Sequence, residues 1–200
     1  MTKQTWWLIG SMLVIHLLMY ITFIDNNIFW YLYSGTALVM IALSITSSEL
    51  DEQMPMQPHL IKGIASGVLM YGLFFIGYTL FTWLPGEVDQ TISNLFYQLK
   101  PQNAWQLAVL ILIIIPAEEI FWRGFIQRNL HQYFSSPISI LITAVLSGSV
   151  FYFSGEWIWM AAAFAGAIYW GILYAWKRSI PMLILSHLTF DLLFFYLIFF

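Results

Sequence analysis

Two pairs of ionisable residues stand inside long apolar runs. The first is Glu118-Glu119, in Ile115-Pro116-Ala117-Glu118-Glu119-Ile120-Phe121-Trp122-Arg123-Gly124. On a helix, Glu119 and Arg123 are four apart, so they share a face and can pair. Glu118 points about 100° away and has no local partner. A carboxylate withdrawn from water is a candidate general base. The competing reading is that both glutamates end a helix at the cytoplasmic interface, paired with Arg123 and Arg128. The second pair is His187 and Asp191, in Ser186-His187-Leu188-Thr189-Phe190-Asp191. They also share one helix face, and His187 lies about 10 Å below the start of that helix. A His–Asp hydrogen bond that only locks helix packing is the bland alternative. An ionisable side chain inside a span costs about 3 kcal/mol on insertion scales and marks function by default. Two such pairs in separate spans can supply each other's partners.

Three chemistries fit. A glutamate could activate water for attack on a carbonyl, with His187 as oxyanion donor. A metal could sit there, but zinc hydrolases use three protein ligands, often His₂Glu, and a second well-placed histidine is missing. No cofactor and no metal are therefore expected. The carboxylates could also relay protons or ions, as in transporters, although neither paired half-helices nor a repeat supports that. No serine sits in a recognisable nucleophile motif. His16, alone in the first span, reads as a packing residue. His59 and His131 fall in loops. Met12, Met19, Phe74, Phe75, Phe194 and Phe195 read as lipid-facing or packing residues.

The elements that position these residues follow from composition. The chain has 200 residues, 60% hydrophobic and 8% charged, with a mean hydropathy of +0.78. A soluble domain carries about 25% charged residues, so this chain cannot cover a water-facing surface. Disorder needs low hydrophobicity, and an outer-membrane barrel needs alternating strands; both are excluded. A net charge of −3 and the lack of a basic tract exclude nucleic acid as a partner. With no cysteine, disulfides and thiolate chemistry are excluded. Seven apolar segments, near 6–24, 28–46, 61–84, 104–122, 137–154, 157–175 and 180–200, predict an all-α polytopic membrane bundle. The first is too long for a signal peptide and has no small-residue cleavage site after it, so it reads as an anchor. Turns fall at Asp25-Asn26-Asn27, at Ser47 to Glu52 with Pro55 and Pro58, from Pro85-Gly86 to Pro101, and at Ser135-Ser136-Pro137. No repeat or soluble domain interrupts them, so residues 1–200 form one bundle in the lipid bilayer.

Orientation follows from the basic residues. Lys3, Lys62, Arg123, Arg128, Lys177 and Arg178 fall on one side and only Lys100 on the other. The N-terminus is expected in the cytoplasm. Trp6, Trp7, Trp30, Trp83, Trp105, Trp157 and Trp176 lie near predicted span ends, as an aromatic belt requires. Small size and compact loops suggest a bacterial plasma membrane.

Glu118-Glu119-Ile-Phe-Trp-Arg123 fits Glu-Glu-x-x-x-Arg, and His187-Leu-Thr-Phe-Asp191 fits His-x-x-x-Asn/Asp. In this order, about 70 residues apart, they resemble the CPBP family of CAAX proteases and bacteriocin-processing proteins, which includes the Abi and Rce1-like intramembrane proteases. The resemblance covers roughly residues 104–200, the motif-bearing core. It implies a glutamate-dependent intramembrane endopeptidase in an all-helical bundle, acting on a membrane protein or peptide from the cytoplasmic half. By that resemblance Glu118 activates water, Glu119 and Arg123 hold the site, and His187 with Asp191 stabilises the oxyanion. The family's middle motif, Phe-x-x-x-His, meets Phe151 here, but Gly155 stands in the histidine position. Losing one of two water-orienting groups costs about 10²–10⁴ in rate. Ser154, Tyr152 or Glu156 could hold the water instead. The alternative is a non-catalytic relative that binds a membrane partner as a regulator or immunity factor.

Overall fold

The structure is a computed structural model and describes residues 3–47, 60–81, 92–93, 96 and 100–197. The turn from Ser48 to Glu52, Pro55, Pro58, His59, Trp83 and Pro85-Gly86 lie outside the described residues. Among the described residues, seven helices, each long and apolar enough to cross a membrane, follow one another. They are α1 (Lys3–Thr22), α2 (Phe29–Ser47), α3 (Leu60–Phe81), α4 (Ala104–Leu130), α5 (Ser136–Ser154), α6 (Trp157–Lys177) and α7 (Ile180–Leu197). Among the described residues there is no strand. The chain is a multi-pass helical membrane protein. Lipid has no water to satisfy backbone amides, so helices that bond internally are the stable choice for such apolar runs.

The sequence places the end of α4 near residue 122, but the helix runs on to Leu130. The reason is Arg123, which is 2% exposed and paired inside the bundle. It is not an interfacial charge, so the predicted basic bias falls to five residues against one. The interfacial reading of the two glutamates fails with it: Glu119 is wholly buried.

Helix α4 is the central element. From Ile114 to Asn129 its buried residues include Ala117, Glu119, Phe121, Arg123, Phe125 and Gln127, so it is enclosed on all sides, as a core helix should be. It touches α2, α5, α6 and α7. Its winding is irregular around Pro116. Proline has no N–H to donate and its ring crowds the carbonyl four residues back. The chain answers with a wide π-type turn over Leu110–Ile114, where the Ile115 amide bonds the Leu110 carbonyl. A second wide stretch covers Glu119–Gln127, and such turns are frequent at functional sites.

The outer helices turn apolar side chains outward, among them Leu13 and Leu17 of α1 and Ile61, Val68, Leu69 and Ile76 of α3. These form the lipid-facing surface. Helix α3 docks on α7 through Gly67. A Cβ there would overlap the Ser186 carbonyl and lie 2.6 Å from Thr189 Cβ. Small residues let membrane helices approach closely, and here that approach fixes the depth of α7. His16 behaves as a packing residue. Its Nδ1 lies 2.8 Å from the Met12 carbonyl and its Nε2 3.0 Å from Ser149 Oγ, tying α1 to α5.

Candidate active site

The two pairs read from the sequence meet inside the bundle. Glu118, Arg123, His187 and Asp191 line one cavity of about 220 Å³, with Tyr33 of α2, Ser147 and Phe151 of α5 and Trp170 of α6. Apart from these polar groups its walls are mostly apolar, including Trp30, Ile114 and Phe190.

Glu119 anchors the arrangement. It is fully buried, and Arg123 Nη1 stands 3.2 Å from its Oε1. The four-residue spacing therefore pairs as expected, even on a widened helix. The same oxygen accepts from His187 Nδ1 at 2.7 Å. A carboxylate only accepts, so Nδ1 carries the hydrogen. This bond crosses from α4 to α7 over 68 residues of sequence. It defines the imidazole's orientation and leaves Nε2 directed into the cavity.

Nε2 of His187 lies 4.0 Å from Glu118 Oε2 and 3.7 Å from Asp191 Oδ1. Both distances exceed a direct hydrogen bond. The helical spacing of His187 and Asp191 makes them neighbours, but the tight bond goes to Glu119 instead. A gap of 4.0 Å between two polar atoms suits a bridging water or a substrate oxygen. Glu118 is the more accessible glutamate: its side chain is 15% exposed against 0% for Glu119. Its other oxygen, Oε1, accepts a hydrogen bond from the Tyr33 hydroxyl.

Trp170 holds the histidine from the side. Its ring stacks on His187 with centroids 3.9 Å apart and planes 22° apart. Its Nε1–H donates to Ser186 Oγ at 3.2 Å. The Arg123 guanidinium lies 5.6 Å from the same indole ring. The indole face thus meets the guanidinium, an attraction of about 0.5–2 kcal/mol. Three carboxylates, one guanidinium and one imidazole share the site. The guanidinium and the imidazole both sit against the fully buried Glu119.

Sequence reasoning missed Tyr33 and Trp170. Each belongs to an aromatic-rich apolar run, and neither has a charged neighbour at helical spacing. Nothing local separates them from belt or lipid-facing rings. The Gly155 position also needs correcting. Gly155 adopts φ +76°, ending the short 3₁₀ turn Val150–Ser154, and it does not line the cavity. Nor do the three suggested substitutes: Tyr152 is 72% exposed, Ser154 Oγ donates to the Phe151 carbonyl at 2.7 Å, and Glu156 is the N-cap residue of α6. The cavity face of α5 is Ser147 and Phe151. Among the described residues, no three His, Asp or Glu side chains converge so as to hold a metal ion.

The family model described as "Type II CAAX prenyl endopeptidase Rce1-like" matches residues 100–193. That span holds Glu118, Glu119, Arg123, His187 and Asp191, and begins after Tyr33. No curated protein and no solved structure matches the chain.

Proposed function

We propose that this chain, whose residues 100–193 match the Rce1-like family model, is a glutamate-dependent intramembrane endopeptidase. Its substrate is a peptide bond of a membrane protein or membrane-bound peptide. The observation that carries this reading is the pair Glu118 Oε2 and His187 Nε2, facing each other at 4.0 Å in one mostly apolar cavity.

The chemistry balances with these groups alone. A water between Glu118 and His187 gives a proton to Glu118 Oε2 as its oxygen bonds to the scissile carbonyl carbon. The carbonyl oxygen becomes negative. An imidazole whose Nδ1–H is fixed on Glu119 can present Nε2–H to that oxygen when doubly protonated, and Asp191 nearby supports the positive ring. The tetrahedral species then expels the amine, which takes the proton from Glu118. The products are a carboxylic acid and an amine. An oxyanion donor of this kind is worth about 10²–10³ in rate, and a positioned base about 10²–10⁴. Arg123 and Glu119 act by fixing the imidazole rather than by touching substrate.

A second reading has one observation in its favour: α5 offers the cavity a hydroxyl and a phenyl ring and no imidazole. A proteolytically inactive relative would use the same cavity to bind a membrane partner. Comparing protein termini across the membrane proteome separates the two. Cells would carry wild type, Glu118→Gln or His187→Ala at equal levels of folded protein. Termini that appear only with wild type support the protease and identify its substrates. Identical termini in all three strains refute it and favour the binding role.

A further inference from the structure

Glu118 ends a flexible side chain, yet a base must hold one oxygen at a fixed place. Among the described residues of α4, its side chain has no hydrogen-bond partner. Its neighbours Glu119 and Arg123 are committed to each other. What restrains it comes from α2. The Tyr33 hydroxyl donates to Glu118 Oε1, leaving Oε2 toward His187. Tyr33 is itself held: it is 7% exposed, and its ring packs 5.3 Å from that of Phe29. Helix α2 packs along α4.

We propose that Tyr33 is the positioning residue for Glu118, and that its hydroxyl selects Oε2 as the oxygen that takes the proton from water. This rests on the hydrolase reading above. The physical reason is an inequivalence. Proton transfer to Oε1 would compete with the hydrogen bond from the phenol, whereas Oε2 faces the open cavity. A hydrogen bond donated to a carboxylate favours its ionised form in general, so removing this donor has a readout against pH. The groups around Glu118 are Tyr33 from α2, His187 and Asp191 from α7, and Glu119 and Arg123 of its own helix. Of these, Tyr33 donates directly to the Glu118 carboxylate, so one change removes the contact. Part of the site thus comes from a helix outside the family match.

Tyr33→Phe keeps the ring and its packing and removes only the donor. The probe is dicyclohexylcarbodiimide, an apolar reagent that modifies protonated carboxyl groups in membranes, with label at Glu118 read by mass spectrometry against pH. In Tyr33→Phe the labelling curve is expected to move to higher pH by about one unit or more, hence about tenfold more label on its falling arm. Replacing Tyr33 with 3,5-difluorotyrosine strengthens the donor without changing shape, and moves the curve the other way. Proteome-wide cleavage should slow by about tenfold or more in Tyr33→Phe. Superimposed labelling curves in both variants would overturn the proposal, as would shifted labelling with cleavage at the wild-type rate. If wild type itself cleaves nothing while labelling shifts, the contact is real but the hydrolase reading fails, and the positioning role falls with it.

Discussion

Removing the Arg123 guanidinium should unlock the site and weaken the whole bundle. Arg123 is 2% exposed, and its Nη1 lies 3.2 Å from the fully buried Glu119. In Arg123→Met the stem remains, so little packing volume is lost. The charge loss leaves the Glu119 carboxylate in the interior with the hydrogen bond from His187 Nδ1 but without its guanidinium. Breaking one side of a buried ion pair costs about 3–5 kcal/mol, because the surviving charge is uncompensated. For a chain of this length each kcal/mol moves the melting temperature by about 2–4 °C. The fall should therefore be about 6–20 °C, measured by loss of the monodisperse peak after heating in detergent. The double variant Glu119→Gln/Arg123→Met gives the sharper result. Neutral glutamine keeps an oxygen for His187 Nδ1–H and leaves no unpaired charge. It should melt above Arg123→Met alone, with a coupling energy of about 1–3 kcal/mol. An unchanged melting temperature in the single variant, or strictly additive losses in the double, would refute the argument that this is one buried charge pair.

The other expectations concern the supports of the site. Trp170→Phe keeps a stacking ring and should retain most cleavage, whereas Trp170→Ala removes the 3.9 Å stack on His187 and the bond to Ser186. The alanine variant should lose about 3–5 kcal/mol of stability, read by melting in detergent. Gly155→His should not raise cleavage, because the position sits at φ +76° off the cavity. It should cost about 1–2 kcal/mol in melting experiments, the strain of a side chain in the left-handed region. Burial, then the nearby Arg178, holds the imidazole of His131 below its ordinary range. A base depressed in the folded state binds fewer protons there than when unfolded, so its contribution favours folding above about pH 6.5 and turns against folding as pH falls. Melting temperatures from pH 7 to pH 5 should fall less in His131→Gln than in wild type.

The chain's spans were legible because lipid imposes a composition. Continuous apolar runs broken by Asp25-Asn26-Asn27 or Ser135-Ser136-Pro137 can satisfy their backbone only as helices, and no packing detail alters that. The ionisable residues were legible for the same reason. Glu118, Glu119, Arg123, His187 and Asp191 stand out because charges in apolar runs are costly and few. The helical period also showed which of them could pair within one helix, as Glu119 and Arg123 do. It could not rank partners across helices. His187 lies near Asp191 by spacing, but the tertiary fold gives its hydrogen bond to Glu119, since the approach of α7 to α4 puts that carboxylate closer. The same limit hid Tyr33 and Trp170. An aromatic ring in an apolar run carries no mark of facing a carboxylate or an imidazole until two helices are set side by side. The course of α4 past residue 122 was hidden as well. Burial of Arg123 turned an expected boundary charge into an interior one. Composition and period act along one helix, whereas orientation, partner choice and cavity shape arise only where helices pack.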